Sequence, residues 1–222
     1  MANACLLYYI TDRTSLGPDE PTRHRRLLEK IAEATEANID YIQLREKDLS
    51  TRELECLAQE AAELIAKMRT ISPELKTALL INSRADVALA AGAAGVHLRA
   101  LDISPQDARM AWAQTPPGTP AREPLIGVSC HSVDEVKQAE SDGANFAVFA
   151  PIFEKKDAPG TQPQGLSKLT EACRAKIPVL ALGGVTVANA RDCLRAGATG
   201  IAAIRLFQEN RIADIAAKLR SL

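Results

Sequence analysis

No apolar run reaches about 18 residues, so no transmembrane helix is expected. No charge of one sign dominates. Against 27 Lys and Arg stand 28 Asp and Glu, the formal charge is −1, and the two signs are interspersed. That balance argues against a nucleic-acid footprint and against a cationic membrane-surface patch. No basic n-region precedes the stretch Met1–Ile10, which runs straight into a strand and does not read as a signal peptide. No Cys-x-x-Cys pair occurs among Cys5, Cys56, Cys130, Cys173 and Cys193. Their odd number and scatter fit a reduced, cytoplasmic setting. Cys130 lies beside a polar strand end and reads either as a reactive thiol or as a small buried hydrophobe.

What is present is length and alternation. A chain of 222 residues can bury a sizeable core, and 1–222 is read as one domain. Strand-like runs recur at Cys5–Thr11, Tyr41–Arg45, Ala78–Asn82, Gly95–Arg99, Leu125–Cys130, Phe146–Ile152, Pro178–Gly183 and Gly200–Arg205. Most are nearly continuous apolar runs, as expected of parallel strands covered by helices. Helix-like stretches fall between them at Arg23–Glu36, Arg52–Arg69, Ala85–Ala91, Pro105–Ala113, Asp134–Ser141, Leu166–Lys176 and Val187–Ala196, with Asn210–Leu222 last. Ser50, Thr51 and Ser104 offer N-caps, and Pro105 suits a first helical turn. Eight β-then-α units predict an α/β fold of the closed TIM (β/α)8 type. Ala91–Gly95, Ser141–Asn145 and Ala196–Gly200 echo one another as turns from helix to strand, and Glu36–Asp40 does so less clearly. The Pro-rich connection Thr115–Pro124 is given no function.

Side chains alternate along a strand, so Tyr41, Gln43 and Arg45 share a face, and Lys47 continues the polar series. Two readings of Arg45 fit: a bidentate grip on an anionic ligand, or an ion pair with a neighbouring acid inside the barrel. The C-terminal rim of the strands is the working face of such a barrel. That rim collects Gln43, Arg45 and Lys47; Asn82, Ser83 and Arg84; His97, Arg99 and Asp102; Ser129, Cys130 and His131; Lys155 and Lys156; Gly183 and Gly184; Ile204 and Arg205. The set is cationic with one carboxylate. It suits a phosphorylated substrate, with a divalent metal held by Asp102 and ligand phosphates. Backbone near Gly183, Gly184, Ile204 and Arg205 is placed to hold a phosphate. His97 reads as a positioning residue. A nucleophilic Ser129–His131 pair is the alternative use of strand five, outside a nucleophile-elbow context. The long polar segment Phe153–Gly165 reads as a mobile lid or as a plain loop.

Nearly the whole chain resembles the thiamine phosphate synthase family, which includes the TenI-like thiazole tautomerases. The resemblance rests on Ile42–Lys47, Leu80–Asn82, Gly95–Leu98 with Asp102, Ile126–Ser129, Pro151–Phe153, Leu182–Val185 and Gly197–Ile201. It implies a transferase, usually a homodimer, that joins a hydroxymethylpyrimidine diphosphate to a hydroxyethylthiazole phosphate with help from Mg²⁺. By the same resemblance Arg45, Lys47 and Ser129 serve the leaving diphosphate. Gln43 and Asn82 line the pyrimidine site, Asp102 holds the metal, and Gly184 with Ile204–Arg205 binds the thiazole phosphate. The chain departs from the pattern at Ser83, where a second metal-binding Asp is usual, at Arg99–Ala100, at Glu154–Asp157 and at Arg205. Lys155 or Lys156 stands in for the usual lid lysine, and Arg99 and Arg205 partly replace metal charge. A TenI-like tautomerase and a non-catalytic barrel that binds a phosphorylated metabolite are the alternatives. The tautomerase's characteristic His is Pro151 here.

Overall fold

The computed structural model describes residues 5–114, 123–154 and 160–222. Eight parallel strands close into a barrel in chain order. They are β1 (Leu6–Ile10), β2 (Tyr41–Leu44), β3 (Ala78–Asn82), β4 (Gly95–Leu98), β5 (Leu125–Cys130), β6 (Phe146–Phe149), β7 (Val179–Ala181) and β8 (Gly200–Ala203). The helices are α1 (Glu20–Glu36), α2 (Thr51–Ile71), α3 (Ala85–Ala90), α4 (Pro105–Ala113), α5 (Val133–Ser141), α6 (Gly165–Ala172), α7 (Val187–Arg195), α8 (Arg205–Gln208) and α9 (Ile212–Arg220).

Local chemistry explains why helices start where they do. Ser50 and Glu53 form a reciprocal capping box on α2, and Thr186 and Asn189 form one on α7. Ser104 and Ser132 cap α4 and α5 through their hydroxyls. The repeated turn from helix to strand is a real device. Asn38, Gly92, Gly143 and Gly197 all take positive φ just past a helix, where the left-handed conformation turns the chain back to the barrel floor.

Two differences from the sequence reading matter for the rim. Strand β8 ends at Ala203, and Arg205 opens the short helix α8. Strand β2 ends at Leu44, so Arg45 and Lys47 lie on the loop that follows. Helix α6 also stops at Ala172, short of Lys176.

Alternation divides the strand residues. Ile42, Leu44, Leu79, Ile81, Ala147 and Ile201 pack outward against the helices. Tyr8, Ile10, Leu80, Phe146, Val148, Leu180 and Ala202 fill the interior, with Tyr41 against them. The floor is aromatic. Tyr41 and Phe146 stack with centroids 4.9 Å apart and planes 6° from parallel, and Tyr8 meets both edge-on. Gly127 makes this possible, because a Cβ there would lie 2.3 Å from the Phe146 ring. Above the floor the interior turns polar, with Gln43 and His97 almost fully buried.

Candidate active site

Parallel register sets the polar groups side by side. Gln43 pairs with Ile10 and Leu80, Asn82 with His97, and His97 with Gly127. His97 sits between two hydroxyls. Its Nδ1 lies 3.1 Å from the Tyr8 hydroxyl and its Nε2 lies 2.8 Å from Ser129 Oγ. The Ser–His contact of strand five is therefore with His97. His131 is not the partner; it turns away to the Ala150 carbonyl at 2.9 Å.

Burial drives His97 down to about 3, with the nearby Arg45 charge adding to the effect and Asp102 opposing it. His97 is therefore neutral at pH 7. A histidine whose folded value is depressed contributes stability that is full above its unfolded value near 6.5 and is lost as pH falls towards about 3. Unfolding measured in denaturant across that window is expected to show a one-proton slope, about 1.4 kcal/mol per pH unit. His97→Asn removes that slope. Equal slopes in both proteins would show that His97 is not the group responsible.

The Gln43 amide lies close to the Tyr8 phenol, yet its nitrogen closes no hydrogen bond with any described group. At 1 % exposure this is a buried donor without a partner, which is costly unless a ligand supplies the acceptor.

Of the two readings of Arg45, the ion pair with a neighbouring acid is not formed among the described residues, although Asp12 and Glu46 lie near enough to act on its charge. Arg45 is half-buried, and burial is the main influence lowering its affinity for its proton. Among the described residues its side chain closes no ion pair or hydrogen bond. The acids that follow it are taken by another cation. Arg13, 3 % exposed, meets Glu46 at 3.5 Å and Asp48 at 2.6 Å, and reaches Glu20 at 2.8 Å. Glu46 also accepts from the Arg13 backbone N–H and the Thr11 hydroxyl. Arg13, just past the end of β1, thus holds the acids that follow Arg45 in the chain.

Asp102 is held firmly. Its Oδ2 accepts from the Arg99 backbone N–H at 2.7 Å, and its Oδ1 from Arg99 Nη2 at 3.1 Å. Burial disfavours its charge, but hydrogen bonds from the Arg99 side chain and backbone and the Ser83 hydroxyl outweigh that, so its carboxyl lies below the ordinary range. Ser83 has φ of 62° and also receives the Asn82 amide at 3.1 Å. A cleft of about 220 Å³ beside these groups is lined by Arg99, Asp102 and Ser129 with Leu98, Ile103 and Val128. A larger cleft of about 360 Å³ lies on the outside against α1, where Lys30 and Glu33 pair with each other.

Mg²⁺ is the ion the resemblance brings to this rim. It usually takes one or two free carboxylates together with substrate phosphates. Among the described residues no group of three His, Cys, Asp or Glu could hold a metal ion. The carboxylate expected to hold the ion, Asp102, has both oxygens engaged by Arg99. The residues present therefore do not fit a resident divalent ion.

The glycine pair after β7 has a use that the sequence reading missed. A Cβ on Gly184 would lie 2.6 Å from the Glu154 carbonyl oxygen and 2.7 Å from Phe153 Cβ. The close approach that requires glycine is made by the chain after β6, which is also tied down by the Phe153 N–H donating to the Gly183 carbonyl at 2.9 Å. Gln208, at the end of α8, joins this rim to β1. Its amide accepts from the Tyr9 hydroxyl at 3.0 Å and donates to the Asp12 carbonyl at 2.7 Å. Lys155 and Lys156 lie outside the described residues, and the lid reading of their segment goes with them. Lys47, on the loop after β2, and Arg205, at the start of α8, are both exposed.

So the structure gathers Gln43, Arg45, Asn82, His97, Asp102 and Ser129 at one mouth, with Tyr8, Ser83 and Arg99 woven among them. Residues 7–207 match the family model described as thiamine monophosphate synthase. The chain belongs to this family. It is 37 % identical over 221 residues to a thiamine-phosphate synthase of Methanoculleus marisnigri, covering 97 % of this chain and 92 % of that one. To that of Roseiflexus castenholzii it is 36 % identical over 204 residues, covering 90 % and 79 %. A solved thiamine phosphate pyrophosphorylase from Pyrococcus furiosus superposes with a TM-score of 0.76 at 31 % identity, covering 99 % of this chain and 95 % of that one. No helix among the described residues is long and apolar enough to cross a membrane.

Proposed function

We propose that this chain is a thiamine phosphate synthase. It joins 4-amino-2-methyl-5-hydroxymethylpyrimidine diphosphate to 4-methyl-5-(2-hydroxyethyl)thiazole phosphate and releases diphosphate. The observation that carries this reading is the Arg45 guanidinium, without an ion pair among the described residues and two positions after the buried Gln43 amide, at the mouth of a barrel of this family.

The bond between the pyrimidine methylene carbon and the diphosphate oxygen breaks, and its electron pair stays with the oxygen. The pyrimidine cation left behind accepts the lone pair of the thiazole nitrogen, which forms the new C–N bond. Negative charge grows on the departing oxygen, so fixed cations and N–H or O–H donors accelerate the step. Arg45 and Lys47 supply cations. Gln43 and Asn82 hold the pyrimidine. Ser129 donates its hydroxyl proton to the leaving group. For that, Ser129 Oγ accepts from His97 Nε2–H, and neutral His97 accepts the Tyr8 hydroxyl proton at Nδ1. The chain Tyr8–His97–Ser129 thereby aims one donor outward.

Gly183, Gly184, Ile204 and Arg205 form the second phosphate site, and Lys155 and Lys156 are the lysines that bind substrate by the family resemblance. The protein works as a homodimer in the cytoplasm. The test is direct. Purified protein given both substrates is expected to release thiamine phosphate and diphosphate in equal amounts, and neither from one substrate alone. No product with both substrates, in buffers with and without Mg²⁺, would reject the synthase reading.

A further inference from the structure

A departing diphosphate needs several positive charges, and a divalent ion is one common source. This rim has a different source already built in. Arg99 grips Asp102 through its backbone N–H, Nε and Nη2, at 2.7, 3.4 and 3.1 Å. The Asp102 side chain is 10 % exposed, whereas that of Arg99 is 61 % exposed. The carboxylate is thus consumed as a socket, and the cation in the socket faces solvent at the mouth. Neither of these side-chain hydrogen bonds uses the Arg99 Nη1 group. Position 83, beside this pair, is a neutral serine whose hydroxyl also serves Asp102. Arg99 and Arg45 are near enough for each charge to act on the other, and only one of them has a carboxylate of its own. The two like charges repel, although Asp12 and Glu46 also act on Arg45, and an anion bound between the guanidiniums would offset that repulsion. Gln43, whose buried amide nitrogen has no acceptor among the described residues, lies two positions before Arg45.

We propose that Arg99, seated on Asp102, and Arg45 together form a metal-free diphosphate site. A guanidinium occupies the place of a divalent ion, and C–O bond cleavage proceeds without one. Two planar forks suit an oxygen-rich dianion, since each offers paired N–H donors as well as charge. Asp102 acts as a positioning residue that fixes the Arg99 fork. This inference rests on the synthase reading for its substrate, but the site itself is an anion site in either case.

The test uses the full chain freed of metal and kept in excess EDTA. Two measurements are made: thiamine phosphate formation from both substrates, and calorimetric binding of inorganic diphosphate. Turnover in EDTA equal to turnover with Mg²⁺ is the expected result, together with diphosphate binding in EDTA. Arg99→Gln is expected to lower the EDTA-resistant rate by about 10²-fold and to weaken diphosphate binding in parallel. The double change Ser83→Asp with Arg99→Gln frees one carboxylate and adds another, so its remaining activity is expected to become Mg²⁺-dependent. Turnover abolished by EDTA and restored by Mg²⁺ would overturn the inference and leave the synthase reading intact. Absence of turnover in both buffers would reject the synthase reading instead. The calorimetry then decides alone: binding in EDTA that Arg99→Gln weakens supports the site, and no binding, or binding indifferent to Arg99→Gln, overturns it.

Discussion

Arg45→Ala is expected to lower turnover by about 10²–10³-fold, the usual effect of removing one preorganised donor aimed at developing charge. Arg45 spends nothing on an internal partner, so its loss leaves no buried acid stranded. Folding is therefore expected to stay near that of the parent protein, and the damage to fall on catalysis. Arg45→Lys should rescue only in part, because an ammonium keeps the charge and loses the planar fork. The measurements are steady-state kinetics with both substrates and an unfolding curve for each variant. Near-parental turnover in Arg45→Ala would remove Arg45 from the diphosphate site.

Arg13→Ala is expected to do the reverse, with the main damage to stability. Glu46 is buried and keeps only the Thr11 hydroxyl and a backbone N–H once the guanidinium is gone. Breaking a buried pair from one side commonly costs 3–5 kcal/mol. Here Glu20 and Asp48 are half exposed and water can take them up, so the lower end, about 3 kcal/mol, is expected. The pH dependence has a definite sign. Burial already raises the Glu46 carboxyl, against the hydrogen bonds from Thr11 and the Arg13 backbone. Losing the cation raises it further. Protonation relieves the stranded charge, so the deficit should be largest at neutral pH and shrink as pH falls into the carboxylate range. Denaturant midpoints at neutral and acid pH measure it. A deficit that is constant with pH would show that lost packing, not Glu46, is responsible.

These two arginines also show where sequence reading stops. All eight strands were legible, because parallel strands covered on both sides become apolar runs. Helix starts were legible where Ser50 and Ser104 satisfy the first N–H groups locally, whereas α1, read from Arg23, begins at Glu20. The inward face of β2 followed from parity alone. What sequence could not decide was ownership of charge. Glu46 and Asp48 are adjacent to Arg45 in the chain, yet Arg13, 33 and 35 positions away, takes them. Such a pairing depends on barrel closure, which no local pattern encodes. The Tyr8–His97–Ser129 chain is a similar case, spanning three strands, although the inward parity of Tyr8 on β1 was a signal that could have found it. Arg99 and Asp102 stand three apart and could be read as a pair. That the pair also engages the backbone N–H, and so closes the carboxylate, needed coordinates. Gly184 was read as a place for an anion to approach, and the structure adds a second close approach there, by the segment after β6.

The stacked rings of Tyr41 and Phe146 carry one last consequence. Together with the other interior side chains they fill the barrel at its lower end, so the polar rim is reached from one side only. Two substrates and two products must then pass through a single doorway. Whichever molecule sits deeper has to arrive before its companion and depart after it, and traffic through that doorway imposes an order on the catalytic cycle that the chemistry by itself does not require.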